Sequence, residues 1–272
     1  MKRFIIIFTI PYIYFLKTRL KSKLQKISWF FVYFIPGIIL FNYYKPLNNF
    51  SHIIICFIGV FVINLFYENG YIENDSKTIK FEKKPQIRIN KSEINFISKY
   101  FSLVLIFRIL IAVIFVIIYY YLTNDFYSTL VLSIVSLLIQ IIYIFYNRIR
   151  SIVNLFLILP LSFLRFYGFV LPFVPTESFY QFIIIVSFIY PISKTLEFAT
   201  RKRFKISFFI EYLTDIDKFR ILYYFIISIG FYLIQVDGIF IFVGLYYFFF
   251  RLLGFLIIRR FCGINSNIST IK

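Results

Sequence analysis

Asp75, Thr78 and Glu82 are spaced i, i+3 and i+7. On a helix these positions share one face, with Asn74 beside it and Lys83, Lys84 and Arg88 following. Oxygen ligands with cations beyond them suit a magnesium-bound diphosphate. Mg²⁺ takes hard oxygen ligands and is typically held by a carboxylate or two plus the phosphates of its substrate. The spacing therefore predicts Asp75, Glu82 and Asn74 as catalytic, Asp75, Glu82 and Thr78 as Mg²⁺ ligands, and Lys83, Lys84 and Arg88 as phosphate-binding. A solvated loop of mixed charge accounts for the same residues equally well from spacing alone.

A second group is a cation in an apolar setting. Arg165 lies deep in the run 151–171. A charge at such a depth costs at least ~2.5–3.5 kcal/mol on insertion scales, so Arg165 is expected to face the interior of a bundle or a polar cavity. Its plainer alternatives are snorkelling or a structural pair with a carboxylate. His52 has no histidine partner, and Cys56 and Cys262 show no CxxC or zinc spacing. Neither a catalytic histidine, nor a disulfide, nor a metal-thiolate site is expected.

The elements that position these residues follow from composition. The chain has 272 residues, 61% hydrophobic and only 15% charged. Charged groups so few cannot cover a soluble body this apolar, and disorder or a disulfide-stapled mini-protein is excluded as well. The apolar residues fall in runs of about 16–25, the length of a membrane-crossing helix. Spans are predicted at 28–44, 52–67, 97–121, 127–146, 151–171, 178–196, 219–235 and 238–258, with residues 4–26 as an amphipathic or partly inserted helix. The expected fold is an all-α polytopic membrane bundle of eight to nine transmembrane helices, a single integral membrane domain over 1–272.

Net charge is +18. In a membrane chain that excess points to cytoplasmic loops and to anionic substrates or membrane lipids, and away from nucleic acid. With the amino terminus inside, Lys and Arg fall almost wholly on the inner loops, and the outer loops hold only Lys45. This isolates two long inner loops, 68–95 and 197–218, where function is expected. Aromatic residues make up 24% of the chain, so any single one carries little functional information.

The segment Asn74-Asp75-Ser76-Lys77-Thr78-Ile79-Lys80-Phe81-Glu82 resembles the first Asp-rich motif of the UbiA-type intramembrane prenyltransferases. Gly70-Tyr71-Ile72 matches the family's small-aromatic-aliphatic lead-in, and Lys83-Lys84-Pro85 its basic-Pro element. Thr78 stands where the family has its second Asp. Further on, Tyr146-Asn147-Arg148, Asn154 and Leu164-Arg165-Phe166-Tyr167-Gly168 are similar to the polyprenyl-phosphate phosphoribosyltransferase branch. So is Lys194-Thr195-Leu196-Glu197, ahead of Arg201, where the family usually has a second Asp-rich motif.

The resemblance implies a UbiA-type bundle in a bacterial inner membrane, with its active site facing the cytoplasm. It implies Mg²⁺, a diphosphate donor and an isoprenoid-lipid substrate, and it leaves room for a homo-oligomer. The implied reaction is 5-phosphoribosyl transfer from phosphoribosyl diphosphate to a polyprenyl phosphate, with Tyr146, Arg148, Arg165, Lys194, Glu197 and Arg201 serving substrate phosphate. Prenyl transfer from an allylic diphosphate to an aromatic or lipid acceptor is the alternative on the same fold. A non-catalytic lipid carrier is the alternative from another class, but it has no need of a carboxylate face beside Lys83-Lys84-Pro85.

Overall fold

The computed structural model describes residues 2–81, 86–149, 151–201, 204, 206, 213 and 215–262, with side chains described from 4 to 257. Among the described residues every regular element is helical. Five helical stretches are long and apolar enough to cross a membrane: Lys23–Tyr44, Phe50–Phe81, Lys91–Thr123, Phe126–Arg148 and Gly238–Ile257. A sixth crossing is made if Thr176–Ile189 and Pro191–Ala199, bent by 40°, count as one span. The protein is an integral, multi-pass, all-α membrane protein.

All eight apolar runs are helical, the run 178–196 as the bent pair, and two of the helices are not among the five or six above on length or charge alone. Val153–Tyr167 has 15 residues, which reach about 22 Å at the α-helical rise, short of a hydrocarbon core of ~30 Å. Ile216–Leu233 carries Asp217, Lys218 and Arg220 in its first turns.

The chain packs as two compact units, Met1–Arg150 with Leu164–Val174, and Ser151–Phe163 with Pro175–Lys272. In the first, α1 (Lys2–Thr9) and α2 (Ile13–Thr18) are followed by α3 (Lys23–Tyr44), α4 (Phe50–Glu73), α5 (Lys91–Thr123) and α6 (Phe126–Arg148). The helix starts are written locally. Ser22 and Gln25 form a capping box at α3, and Asn90 and Glu93 form one at α5. Asp125 caps α6 by accepting from the backbone N–H of Tyr127 and Ser128.

Helix α4 is apolar on nearly every side and packs against both α5 and α6, as an interior helix should. Four polar residues of α4 and the turn after it, Asn64, Glu68, Tyr71 and Asp75, follow i, i+4, i+7 and i+11 down one stripe. The amino-terminal segment docks on that stripe. Pro11 has no N–H to continue a helix, and Tyr12 turns the chain at φ 69°, so the segment is a broken pair of short helices. Phe8, Tyr14 and Phe15 are buried, with α1 on α5 and α2 on α4. At the carboxy-terminal end of α7 (Val153–Tyr167), Phe166 meets Tyr33 at 4.8 Å, and beyond it Phe173 meets Phe41 at 5.1 Å, both partners on α3.

The second unit contains α8 (Phe179–Ile189), α9 (Pro191–Ala199), α10 (Ile216–Leu233) and α11 (Gly238–Cys262). Helices α10 and α11 pair closely, with Tyr224 and Tyr247 stacked at 4.8 Å and Gly244 against Ser228. Phe182 of α8 meets Phe240 of α11 at 6.2 Å.

Candidate functional site

Asp75 lies just past the end of α4, in a π-helical turn over Asn74–Thr78 that passes into a 3₁₀ turn over Ile79–Phe81. The α-helix that would align Asp75, Thr78 and Glu82 thus ends at Glu73. Glu82, Lys83 and Lys84 lie outside the described residues. Single-turn π segments are frequent at functional sites.

The Asp75 side chain is fully buried and accepts hydrogen bonds from two separate segments, the amino-terminal one and the one that leads into α5. Tyr14 Oη donates to Oδ2 at 2.7 Å, and Arg19 Nη2 donates to the same oxygen at 2.8 Å. Arg88 Nη1 donates to Oδ1 at 3.1 Å. Burial, and then the Asp75 carboxylate, hold the Tyr14 phenol well above its ordinary pKa, so it remains a donor. Burial works against the Arg19 cation, but Asp75 and the surrounding phenols outweigh it and raise its pKa. Thr78 Oγ1 donates to Asn74 Oδ1 at 3.1 Å, which keeps both near the carboxylate.

The centre extends through Tyr71 to Arg165. The Arg19 guanidinium lies 4.2 Å from the Tyr71 ring centroid, and Arg165 Nη1 donates to the Tyr71 hydroxyl at 3.1 Å. Arg165 is 7% exposed and sits among rings: Tyr67 at 4.1 Å, Phe15 at 4.7 Å and Tyr33 at 5.6 Å. Its Nε, like that of Arg19, is buried without a hydrogen-bond partner. Among the described residues no carboxylate pairs with Arg165. Its side chain therefore faces the interior, as expected of a charge at that depth.

Beneath this centre a buried ion pair fastens the amino-terminal segment. Arg108, 0% exposed on α5, donates to Glu68 Oε2 at 2.8 Å, Asn69 Oδ1 at 2.6 Å, Leu65 O at 2.9 Å and Phe8 O at 3.1 Å. Glu68 Oε1 accepts from the Phe15 N–H at 3.0 Å. Lys17 pairs with Glu93 as well. Tyr14 and Arg19 reach Asp75 because this anchor holds α2 in place.

Other predicted residues take different positions. Tyr146 is half-buried, 5.9 Å from the Tyr143 ring, while Arg148 is exposed at the end of α6. In the second unit Lys194 donates to Glu197 Oε1 at 3.0 Å, and Arg220 pairs with Glu197 Oε2 at 2.7 Å and with Asp217 at 2.8 Å. Lys194 and Glu197 are therefore partners of each other. Arg201 is exposed, its guanidinium 3.4 Å over the Phe198 ring. Tyr14, Arg19, Glu68, Arg108 and Arg220 were not singled out by sequence. Arg108 had a signal, as the one charge well inside the run 97–121, whose other charge, Lys99, lies near its start.

Among the described residues, no three His, Cys, Asp or Glu side chains converge as metal ligands. Both oxygens of Asp75 face guanidinium groups, so a magnesium ion there would have to displace Arg19 or Arg88. The described donors thus suit an anion better than a cation. Comparisons with protein-family models, with curated proteins and with solved structures find no match to this chain.

Proposed function

We propose that this protein is a UbiA-type integral membrane transferase that cleaves a diphosphate donor and joins its carbon to an isoprenoid-lipid substrate. The favoured reaction is 5-phosphoribosyl transfer from phosphoribosyl diphosphate to a polyprenyl phosphate. The reading carries with it eight to nine spans, cytoplasmic loops at 68–95 and 197–218, and a site facing the cytoplasm of a bacterial inner membrane. The observation that supports it best is the excess of cation at this centre, buried at Arg165 and partly buried at Arg19 and Arg88. Arg19, Arg88 and Arg165 form one connected set with the single carboxylate of Asp75, and Arg165 has no counter-ion of its own among the described residues. A buried charge in this condition is costly unless a ligand completes it.

Guanidinium groups recognise phosphate oxygens in paired, directional hydrogen bonds and, being prearranged, stabilise negative charge on a departing diphosphate as the C–O bond breaks. Mg²⁺ accompanies the diphosphate in the family reading. Because Asp75 offers it no free carboxylate, charge stabilisation falls here to the arginines. Rings around Arg165 wall the centre from bulk water.

The test is turnover by purified protein supplied with Mg²⁺, a polyprenyl phosphate and labelled phosphoribosyl diphosphate, beside an allylic diphosphate control. Labelled lipid from phosphoribosyl diphosphate is expected. Arg165→Gln should reduce it more than a hundredfold, since removing one partner of a buried charged contact costs several kcal/mol. Turnover of the allylic donor alone would assign prenyl transfer, and turnover of neither would leave a carrier.

A further inference from the structure

Asp75 is more deeply placed than the arginines that bind it. Its side chain is 0% exposed, whereas Arg19 and Arg88 keep 14% and 23% of theirs accessible. The two arginines come from segments on either side, one after α2 and one before α5, and meet at the carboxylate from different directions. Donors exceed acceptors here, because the Nε groups of Arg19 and of nearby Arg165 are buried with no partner. Carboxylate and phosphate present similar paired oxygens to a guanidinium fork, so one can take the place of the other.

We propose that Asp75 is an internal stand-in for a ligand phosphate, holding Arg19 and Arg88 in position until a phosphate or diphosphate group takes them over. This deepens the phosphate-transfer reading above and rests on it for the ligand class. Asp75 then competes with the ligand anion, the opposite of a metal ligand's role. Since Tyr14 and Arg19 both belong to the amino-terminal segment, its grip on α4 through Asp75 is released when the ligand binds, while the Glu68–Arg108 anchor stays. The phosphate can belong to a soluble donor or to a lipid headgroup, and the chemistry is the same.

Binding, not turnover, tests the idea. Full-length protein in detergent, freed of divalent metal with EDTA, is titrated calorimetrically with inorganic diphosphate and, separately, with a short-chain prenyl phosphate. An internal competitor that leaves the arginines free about a tenth of the time or less weakens apparent affinity about tenfold or more. Asp75→Asn, similar in shape and uncharged, is therefore expected to bind at least one probe about tenfold tighter than wild type, and Arg19→Gln to bind it more weakly. Tightening for diphosphate alone identifies a soluble donor, and tightening for the prenyl phosphate alone a lipid. Should Asp75→Asn fail to fold, Tyr14→Phe removes one hydrogen bond from the carboxylate, keeps every charge, and is expected to tighten binding about fivefold. Unchanged or weaker binding of both probes in the foldable variant, or wild-type binding that needs Mg²⁺, overturns the proposal. The transfer reading stands or falls separately on its own assay.

Discussion

Replacing Arg108 with leucine should detach the amino-terminal segment and destabilise the first unit. Arg108 and Glu68 are 0% and 2% exposed at their side chains, so the variant leaves a carboxylate buried without its cation. It also strips hydrogen bonds from Asn69 Oδ1 and from the carbonyls of Phe8 and Leu65. Breaking a buried pair in this way costs about 3–5 kcal/mol, which for a chain of this size lowers Tm by about 6–20 °C.

The protein provides its own reporter, since Cys56 is buried in α4. In a Cys262→Ser background, a thiol-reactive fluorophore reads unfolding as Cys56 becomes accessible. The double variant Glu68→Leu/Arg108→Leu removes both charges and should recover most of the loss, because an apolar pair of similar volume is often as stable as a buried ion pair. Two results would refute the reasoning: an Arg108→Leu Tm within about 2 °C of wild type, or a double variant whose loss equals the sum of the single ones.

Three further outcomes are expected. Gly70→Ala places a Cβ into the Tyr143 ring and should cost about 1–3 kcal/mol by overpacking, read by the same thiol assay. Glu197→Gln leaves Lys194 and Arg220 facing each other without their shared carboxylate, so it should lower Tm more than Lys194→Met does, a ranking opposite to that expected if Lys194 served only substrate phosphate. A cysteine placed at residue 84 should react with a membrane-impermeant thiol reagent only from the cytoplasmic side. Labelling from outside would invert the topology and with it the proposed site.

Much of this protein was legible in its sequence. Runs of apolar residues long enough to cross a bilayer dictate membrane helices, because in hydrocarbon a backbone must satisfy its own polar groups. Hydropathy alone starts the spans at 28 and 97, whereas the capping pairs Ser22/Gln25 and Asn90/Glu93 start the helices earlier, at Lys23 and Lys91. Arg165 was legible too, since a charge within an apolar run must turn inward. Gly70 was recognised only as a small residue, and the Tyr143 ring against it supplies the reason.

Only the tertiary structure decided how the polar residues are paired. Asp75 meets Tyr14 and Arg19 across 61 and 56 residues of sequence, and Arg108 meets Glu68 across 40. Periodicity locates a face but not its partner, and it assumed an α-helix where the chain turns through π and 3₁₀ geometry after Glu73. The break at Pro11 and Tyr12 is local, but its consequence is not. It folds α2 back onto the polar stripe of α4, and so turns a carboxylate that resembled a metal ligand into the centre of an arginine pair.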